Sequence, residues 1–214
     1  MASLNHTLPE GYFAENNIHF GIEIDVAALS KAREVGESRV AYTLPPPTQT
    51  LPVTIISDVV EALVYSDVGG PTLVAAIELV SLANKDRPAS RDAFVSKCAA
   101  LAQQGIGLMI IDIVTGRKAN LHNELLFRLA PPEWIPMESE LYASAYHLID
   151  SNGGPALETW QESLALGKPL PTMPLFIGDG EFVMVDLNGT YLKTCVDLKI
   201  PRAIMNEMEV SGAR

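Results

Sequence analysis

Hydrophobic positions in this chain recur mostly with a period of two or in short unbroken runs, the pattern of strands, and one segment breaks clearly into helical spacing. Residues 18–29, IHFGIEIDVAAL, alternate Ile18, Phe20, Ile22, Ile24 and Val26 with His19, Gly21, Glu23 and Asp25. That predicts a half-buried strand with two carboxylates on one face. Two further β-rich runs, VTIISDVVEALVY (53–65) and TLVAAIELVS (72–81), flank SDVGGP, whose paired glycines predict a hairpin turn. In the second run Leu73, Ala75, Ile77 and Leu79 form one apolar face and Val74, Ala76, Val80 and Leu82 the other, as in a strand covered on both sides. Glu78 is the exception on the latter face.

Residues 90–104, SRDAFVSKCAALAQQ, carry the helical stripe Phe94, Val95, Cys98, Leu101 and Ala102, with Ser90 as N-cap, Gly105 as stop and Lys97 at the border of the stripe. GLMIIDIV at 107–114 reads as a buried strand, so a helical crossover is expected between residues 82 and 107. The fold class is α/β, with α+β as the alternative. LPPPTQTLP at 44–52 reads as a surface connector, because three consecutive prolines fit neither a helix interior nor a central strand. Beyond residue 130 the pattern is less regular: PPEWIP, a strand in ELYASAYHLI, then a proline-punctuated stretch from Gly153 to Pro174. In VMVDLNGTYLKTCVDL the Asn188-Gly189 pair suggests a hairpin, whereas Asp186 as cap with Leu187, Tyr191, Leu192, Cys195 and Val196 suggests a helix; the helix is preferred. The organisation expected is one domain over 1–214, with a core at 16–130 and a C-terminal extension at 131–214.

At 48% hydrophobic and 19% charged, the 214 residues suffice for a full core and exclude general disorder. No apolar run reaches the ~18–20 residues of a membrane helix, and MASLNHTLPEGY lacks the features of a signal peptide, so a soluble cytoplasmic protein is expected. Cys98 and Cys195 form no C-x-x-C spacing, which argues against a zinc site or a disulfide framework. The net charge of −11 opposes a phosphate backbone and lowers the expectation of a general nucleic-acid binder.

The candidate chemistry lies in IELVSLANKDRPASRDAFVSK, residues 77–97. A buried ionised carboxylate unpaired in an apolar strand costs several kcal/mol, so Glu78 requires a cation, a metal or a proton beside it. Lys85 and Lys97 are the nearby cations; the plainer alternative is a structural Glu–Lys pair or a solvated strand-end Glu. Asp58 has the same problem, its alternation partners being apolar. An odd hairpin loop would set Asp58 opposite Glu78 on one face, and an even loop would send it to the other. Glu23 with Asp25, and Asp112 between Ile111 and Ile113, are further acids; two or three converging oxygens would suit Mg²⁺ or Mn²⁺. The loop TGRK (115–118) reads as solvated and basic and GDGE (178–181) as a turn. His6, His19, His122 and His147 share no ligand spacing and read as structural or surface residues. Walker, nucleophile-elbow and dinucleotide motifs are absent.

The segment IELVSLANKDRPASRDAFVSKCAALAQQGIGLMIIDIVTG resembles the signature of the bacterial family catalogued as domain of unknown function 4058, in which a strand ending I-E-x-L-S-P-x-N-K precedes a helix with Arg and Lys and an apolar strand with Asp. Glu78, Ser81, Asn84, Lys85, Arg91, Lys97 and Asp112 fall at matching positions over about forty residues; LPEGY, EIDVAAL and VMVDLNGTYL are similar more loosely. That family in turn resembles the Uma-type proteins, with the restriction-endonuclease-like fold and a PD-(D/E)xK site. The resemblance implies a mixed sheet core with flanking helices and an irregular C-terminal extension. It also implies a metal-dependent phosphodiesterase site in which Glu78, with Asp25 or Asp58, holds Mg²⁺ or Mn²⁺. The lysine expected two residues after Glu78 is replaced by Val80, so its role would pass to Lys97 or Lys85. The implied partner is DNA or another nucleic acid, with a homodimer as a compatible assembly. A non-catalytic scaffold or protein-interaction domain, built on an ion-pair network of Glu78, Lys85 and Lys97, is the rival reading.

Overall fold

The computed structural model describes residues 2–9, 12–16, 26–30, 43–52, 72–130, 133–178 and 180–200. Its strands are β1 (Tyr12–Asn16), β2 (Val26–Ser30), β3 (Gln49–Pro52), β4 (Thr72–Leu79), β5 (Gly107–Asp112), β6 (Tyr142–Ser151), β7 (Gly154–Ser163), β8 (Thr172–Phe176) and β9 (Phe182–Asp186). Its helices are α1 (Ala2–Thr7), α2 (Leu82–Asp86), α3 (Pro88–Gln103), α4 (Leu121–Leu129) and α5 (Leu187–Asp197). Strands β1 to β7 form one mixed sheet in the order β1-β2-β4-β5-β6-β7-β3, and β8 pairs with β9 in a separate ribbon. The α/β class is therefore observed.

The crossover expected between 82 and 107 is present: β4 and β5 are parallel neighbours, joined by α2 and α3. All six residues of β5 are buried, as its unbroken apolar run requires of a strand covered on both faces. Helix α3 buries the anticipated stripe of Phe94, Val95, Cys98, Leu101 and Ala102. It starts earlier than Ser90, however, because Pro88 suits the first helical position, where no amide hydrogen bond is lost. Gly105, at φ 74°, supplies the left-handed residue that ends it.

Alternation along the strands sorts the core into two layers. On one face Ala76, Val80, Leu108, Ile110, Tyr142, Tyr146 and Leu157 pack under α3 and α4. On the other, Ala75, Ile77, Met109, Ile111, Ala143, Ala145 and Trp160 meet β8, β9 and α1. The second contact is close: a Cβ added at Gly107 would lie 2.0 Å from the carbonyl oxygen of Phe176, so β8 approaches β5 where only hydrogen fits.

Two expectations change and a third is limited. The first arm of the hairpin expected between 53–65 and 72–81 lies outside the described residues; in its second arm, β4, Ala75, Ala76 and Ile77 pair with β2 on one side and β5 on the other. A strand has two hydrogen-bonding edges, so an in-register partner running past these residues has no edge to use. The connector at 44–52 contains β3, an edge strand along β7 from Gln49 to Pro52, where proline is tolerated because the outer side needs no donor. The C-terminal part is more regular than its prolines suggest. GPALETWQES forms β7 across a two-residue turn from β6, with Pro155 near the strand start, and both lie inside the seven-stranded sheet. The helix preferred for 187–197 is α5, with the Asp186 side chain accepting from the Gly189 amide at 2.8 Å; its buried residues are Leu187 and Cys195, while Val196 is exposed.

Candidate functional site

Glu78 occupies the penultimate position of β4 and is fully buried. Alternation sets it on the face of Ala76 and Val80, toward α3, and its register partner on β5 is Ile110. Asp112, two residues beyond Ile110, shares that face and is also fully buried. From the spacing of neighbouring strands and the rise per residue, their α-carbons lie about 8 Å apart. Two acids thus stand at the carboxyl ends of adjacent parallel strands, the edge where open α/β sheets place their ligand sites.

Each acid meets a lysine from the crossover. Lys97 sits at the margin of the buried stripe of α3, and its Nζ reaches Glu78 Oε2 at 2.6 Å. The same Nζ lies 5.5 Å from the centre of the Phe94 ring, one helical turn back, so the ring face adds to what holds the ammonium. Lys85 is placed by a capping box. The Ser81 amide donates to Asn84 Oδ1 at 2.8 Å, and the Asn84 amide donates to Ser81 Oγ at 3.2 Å. The short helix α2 that this starts turns Lys85 inward, where its Nζ lies 2.8 Å from Asp112 Oδ2. The other Asp112 oxygen, Oδ1, accepts the Val114 amide at 3.0 Å. Burial pushes the Asp112 carboxyl above the usual range, outweighing the Lys85 hydrogen bond, the Val114 amide and the lysine charge, all of which favour the ionised form.

The two lysines are not equivalent. Lys85 and Asp112 have no exposed side-chain surface and satisfy each other. Lys97 keeps 19% of its side chain exposed while its partner Glu78 keeps none. Of the candidate cations, Lys97 alone stands beside Glu78 at the protein surface.

A second polar group lies on the same face and carries no signal in the sequence spacing. His122 at the start of α4 is fully buried; its amide donates to Tyr142 Oη at 2.9 Å and its Nδ1 lies 2.7 Å from Tyr146 Oη. Burial lowers the His122 pKa to about 4 and raises both tyrosines, Tyr142 also feeling the charge of Asp112. His122 is accordingly a neutral structural residue at pH 7, as its lack of ligand spacing implied. The only advance sign was alternation: Tyr142 and Tyr146 fall on the Asp112 side of a buried strand, where a phenolic hydroxyl needs a partner.

Asp25 and Asp58 lie outside the described residues, as does Glu23. Asp25 is one peptide bond from Val26, and Val26 pairs with Ile77, the neighbour of Glu78. With both edges of β4 taken at Ala75, Ala76 and Ile77, the odd-loop pairing that would set Asp58 opposite Glu78 has no edge to run along.

The donor chemistry at Glu78, a hard carboxylate oxygen, suits Mg²⁺ or Mn²⁺. Asp112 is a poorer donor because both its oxygens are engaged. Among the described residues no group of three or more His, Cys, Asp or Glu could hold a metal ion. Among the described residues no helix is long and apolar enough to cross a membrane. Compared with protein-family models, with curated proteins and with solved structures, the chain gives no significant match.

Proposed function

We propose that this chain is a restriction-endonuclease-like domain with a Mg²⁺- or Mn²⁺-dependent phosphodiesterase site, in which Glu78 and Asp25 are the metal ligands and Lys97 is the cationic helper. The observation that carries this reading is the 2.6 Å contact between Lys97 Nζ and Glu78 Oε2, made from α3 across to the sheet. In the PD-(D/E)xK pattern a lysine two residues after the acid supplies this cation. Here that position is Val80, a buried core residue, and the helix supplies an ammonium at the same carboxylate.

A bound metal would stabilise charge on the phosphorane oxygens and make its water more acidic. The chain's own residues supply the rest. Glu78 offers a buried carboxylate, Lys97 sets its side-chain nitrogen 2.6 Å from it, and the fully buried pair of Lys85 and Asp112 fixes α2 against β5. Lys97 takes the helper role over Lys85 because Lys85 is already committed to Asp112. Asp25 takes the second acid over Asp58 because its peptide bond ties it to Val26, opposite Ile77.

The test is cleavage of plasmid and single-stranded DNA in Mn²⁺ or Mg²⁺, comparing the unaltered chain with Glu78→Gln and Lys97→Met. Loss of at least about 100-fold in each is expected, the scale for removing one charge-stabilising group from a site. Equal cleavage by Glu78→Gln would assign the activity to a contaminant and remove the reading. A second reading, a non-catalytic scaffold, is favoured by one observation: Glu78 and Asp112 are each matched by one lysine, which leaves the cluster neutral without a metal. Calorimetric titration with Mn²⁺ giving no heat, with and without DNA, would select it.

A further inference from the structure

The basic loop at 115–118 has no part in the site described, and it lies directly beside it. It follows Asp112 by three residues, and a Cβ on Gly116 would lie 3.2 Å from Leu82 Cδ2, so the loop packs on the start of α2. Arg117 Nη2 then reaches Asp86 Oδ1, the last residue of α2, at 2.7 Å. The other oxygen of the same carboxylate, Asp86 Oδ2, is 3.5 Å from Arg87 Nε. One aspartate therefore holds two guanidiniums side by side at the carboxyl ends of β4 and β5. Lys118 stands next to them, 90% exposed and 3.7 Å from Glu140.

This arrangement stands out against the charge of the chain. Residues 78–124 hold six Lys and Arg against five Asp and Glu, a slight basic excess in a chain that carries −11 as a whole. Three of those six are used internally: Lys85 on Asp112, Lys97 on Glu78 and Arg91 on Glu124. The remaining three are Arg87, Arg117 and Lys118, with 81%, 52% and 90% of their side chains exposed. A guanidinium has five N–H donors in a planar fork, and the contact of each arginine with Asp86 engages one nitrogen. The other donors of these exposed side chains are not engaged by Asp86, and a guanidinium fork suits a pair of phosphate oxygens.

We propose that Arg87, Arg117 and Lys118 form a phosphate-binding rim that takes the phosphodiester backbone of a nucleic acid and draws it across the Glu78–Lys97 edge. The contacts are to backbone, not bases, so binding is independent of sequence and steeply dependent on salt. The rim rests on the phosphodiesterase reading for its purpose, but binding is measured without cleavage, and the two fail separately.

The experiment measures fluorescence anisotropy of a labelled 20-base-pair duplex and a 20-nucleotide single strand with Glu78→Gln protein in EDTA, from 50 to 200 mM NaCl. Three duplex phosphate contacts give a log–log slope near −2.7, hence about 40-fold weaker binding across that range. The added triple substitution Arg87→Gln, Arg117→Gln and Lys118→Gln should abolish most of the affinity and flatten the slope. A charge-matched triple at Lys168, Lys193 and Lys199 should change neither. The single Lys118→Gln, at the most exposed of the three positions, should reduce the slope by about one unit and guards against misfolding of the triple. Inorganic polyphosphate in the place of the oligonucleotides distinguishes a nucleic-acid rim, which prefers one of the two strands, from a general polyanion site. No binding of either strand at 50 mM NaCl, equal loss in the charge-matched triple, or polyphosphate binding as tight as the better strand would overturn the proposal. Cleavage by a protein whose rim substitutions leave binding unchanged would overturn the rim and leave the phosphodiesterase standing. Rim-dependent binding without any cleavage would do the reverse.

Discussion

Removing the cation from the deepest ion pair is the sharpest stability test of this structure. Lys85→Met keeps the length and apolar stem of the side chain but leaves Asp112, fully buried, with the Val114 amide alone among the two partners described for it. Breaking one member of a buried pair costs about 3–5 kcal/mol, a large part of the ~5–15 kcal/mol by which domains are stable. With a urea m-value of about 3 kcal/mol/M for a chain of this size, the midpoint should fall by about 1–1.7 M. Urea unfolding followed by far-UV circular dichroism and by tryptophan fluorescence measures the shift and tests whether unfolding stays two-state. Adding Asp112→Asn removes the stranded charge while keeping an oxygen for the Val114 amide, and should recover at least about half of the loss. The sign with pH is fixed by the direction of the Asp112 shift. Burial raises its folded-state pKa, so the stability it contributes is present below the unfolded value and is lost as pH rises through the folded one. Without Lys85 that rise is larger, so Lys85→Met should be less damaging at pH 5 than at pH 7. A loss under about 1 kcal/mol, or the same loss at both pH values, would show that the pair is solvated and the reasoning wrong.

Other outcomes follow from single residues. The His122 pKa, lowered to about 4, means that the stability this group contributes is present above its unfolded value near 6.5 and is lost as pH falls through 4. Its share of the loss approaches about 3 kcal/mol, and thermal melts of His122→Gln should show a flatter decline between pH 7 and pH 4. Gly107→Ala forces a methyl group against the Phe176 carbonyl; a loss of about 1–3 kcal/mol or more is expected, seen as a fall in Tm of several degrees, and an unchanged Tm would contradict the close approach of β8 to β5. Ser81→Ala removes the cap of α2 and should cost about 1 kcal/mol. Because the cap places Lys85, which holds α2 against β5 through Asp112, the substitution should also lower cleavage, read as kcat at saturating DNA, by less than Lys97→Met does.

Elements whose burial is decided by neighbours in sequence were legible in advance. The apolar stripe of α3 and the unbroken run of β5 each state their own environment, and Glu78 could be singled out because it interrupts one. The same logic set Lys97 at the edge of the α3 stripe and named it, with Lys85, as a cation for Glu78. What the pattern did not carry was partnership across distance. Nothing in TLVAAIEL says that β2 and β5 take both its edges, so the glycine-rich turn before it invited a hairpin. GPALETWQES was obscured by its opening Gly-Pro, although a proline near the start of a strand leaves the later ladder intact. Asp112 was noted only as one acid among several. Its pairing with Lys85 depends on α2, a single-turn helix whose capping box of Ser81 and Asn84 was visible as residues of a resemblance but was not read as a cap.

The strand order also governs how the chain must assemble. Gln49 pairs with Thr159 and Pro52 with Ala156, so β3 is docked by residues made more than a hundred positions later, and β8 arrives later still to close the opposite face. Closing so long a loop yields few contacts until β6 and β7 are in place, a topology associated with slow folding. During synthesis, β4 and β5 therefore emerge with one wall absent and with Ala145, Trp160 and Met173 not yet made. The half-finished sheet presents unpaired edges and apolar surface, the conditions for aggregation. Expression of pieces ending before residue 163 should accordingly give insoluble material rather than a smaller folded core.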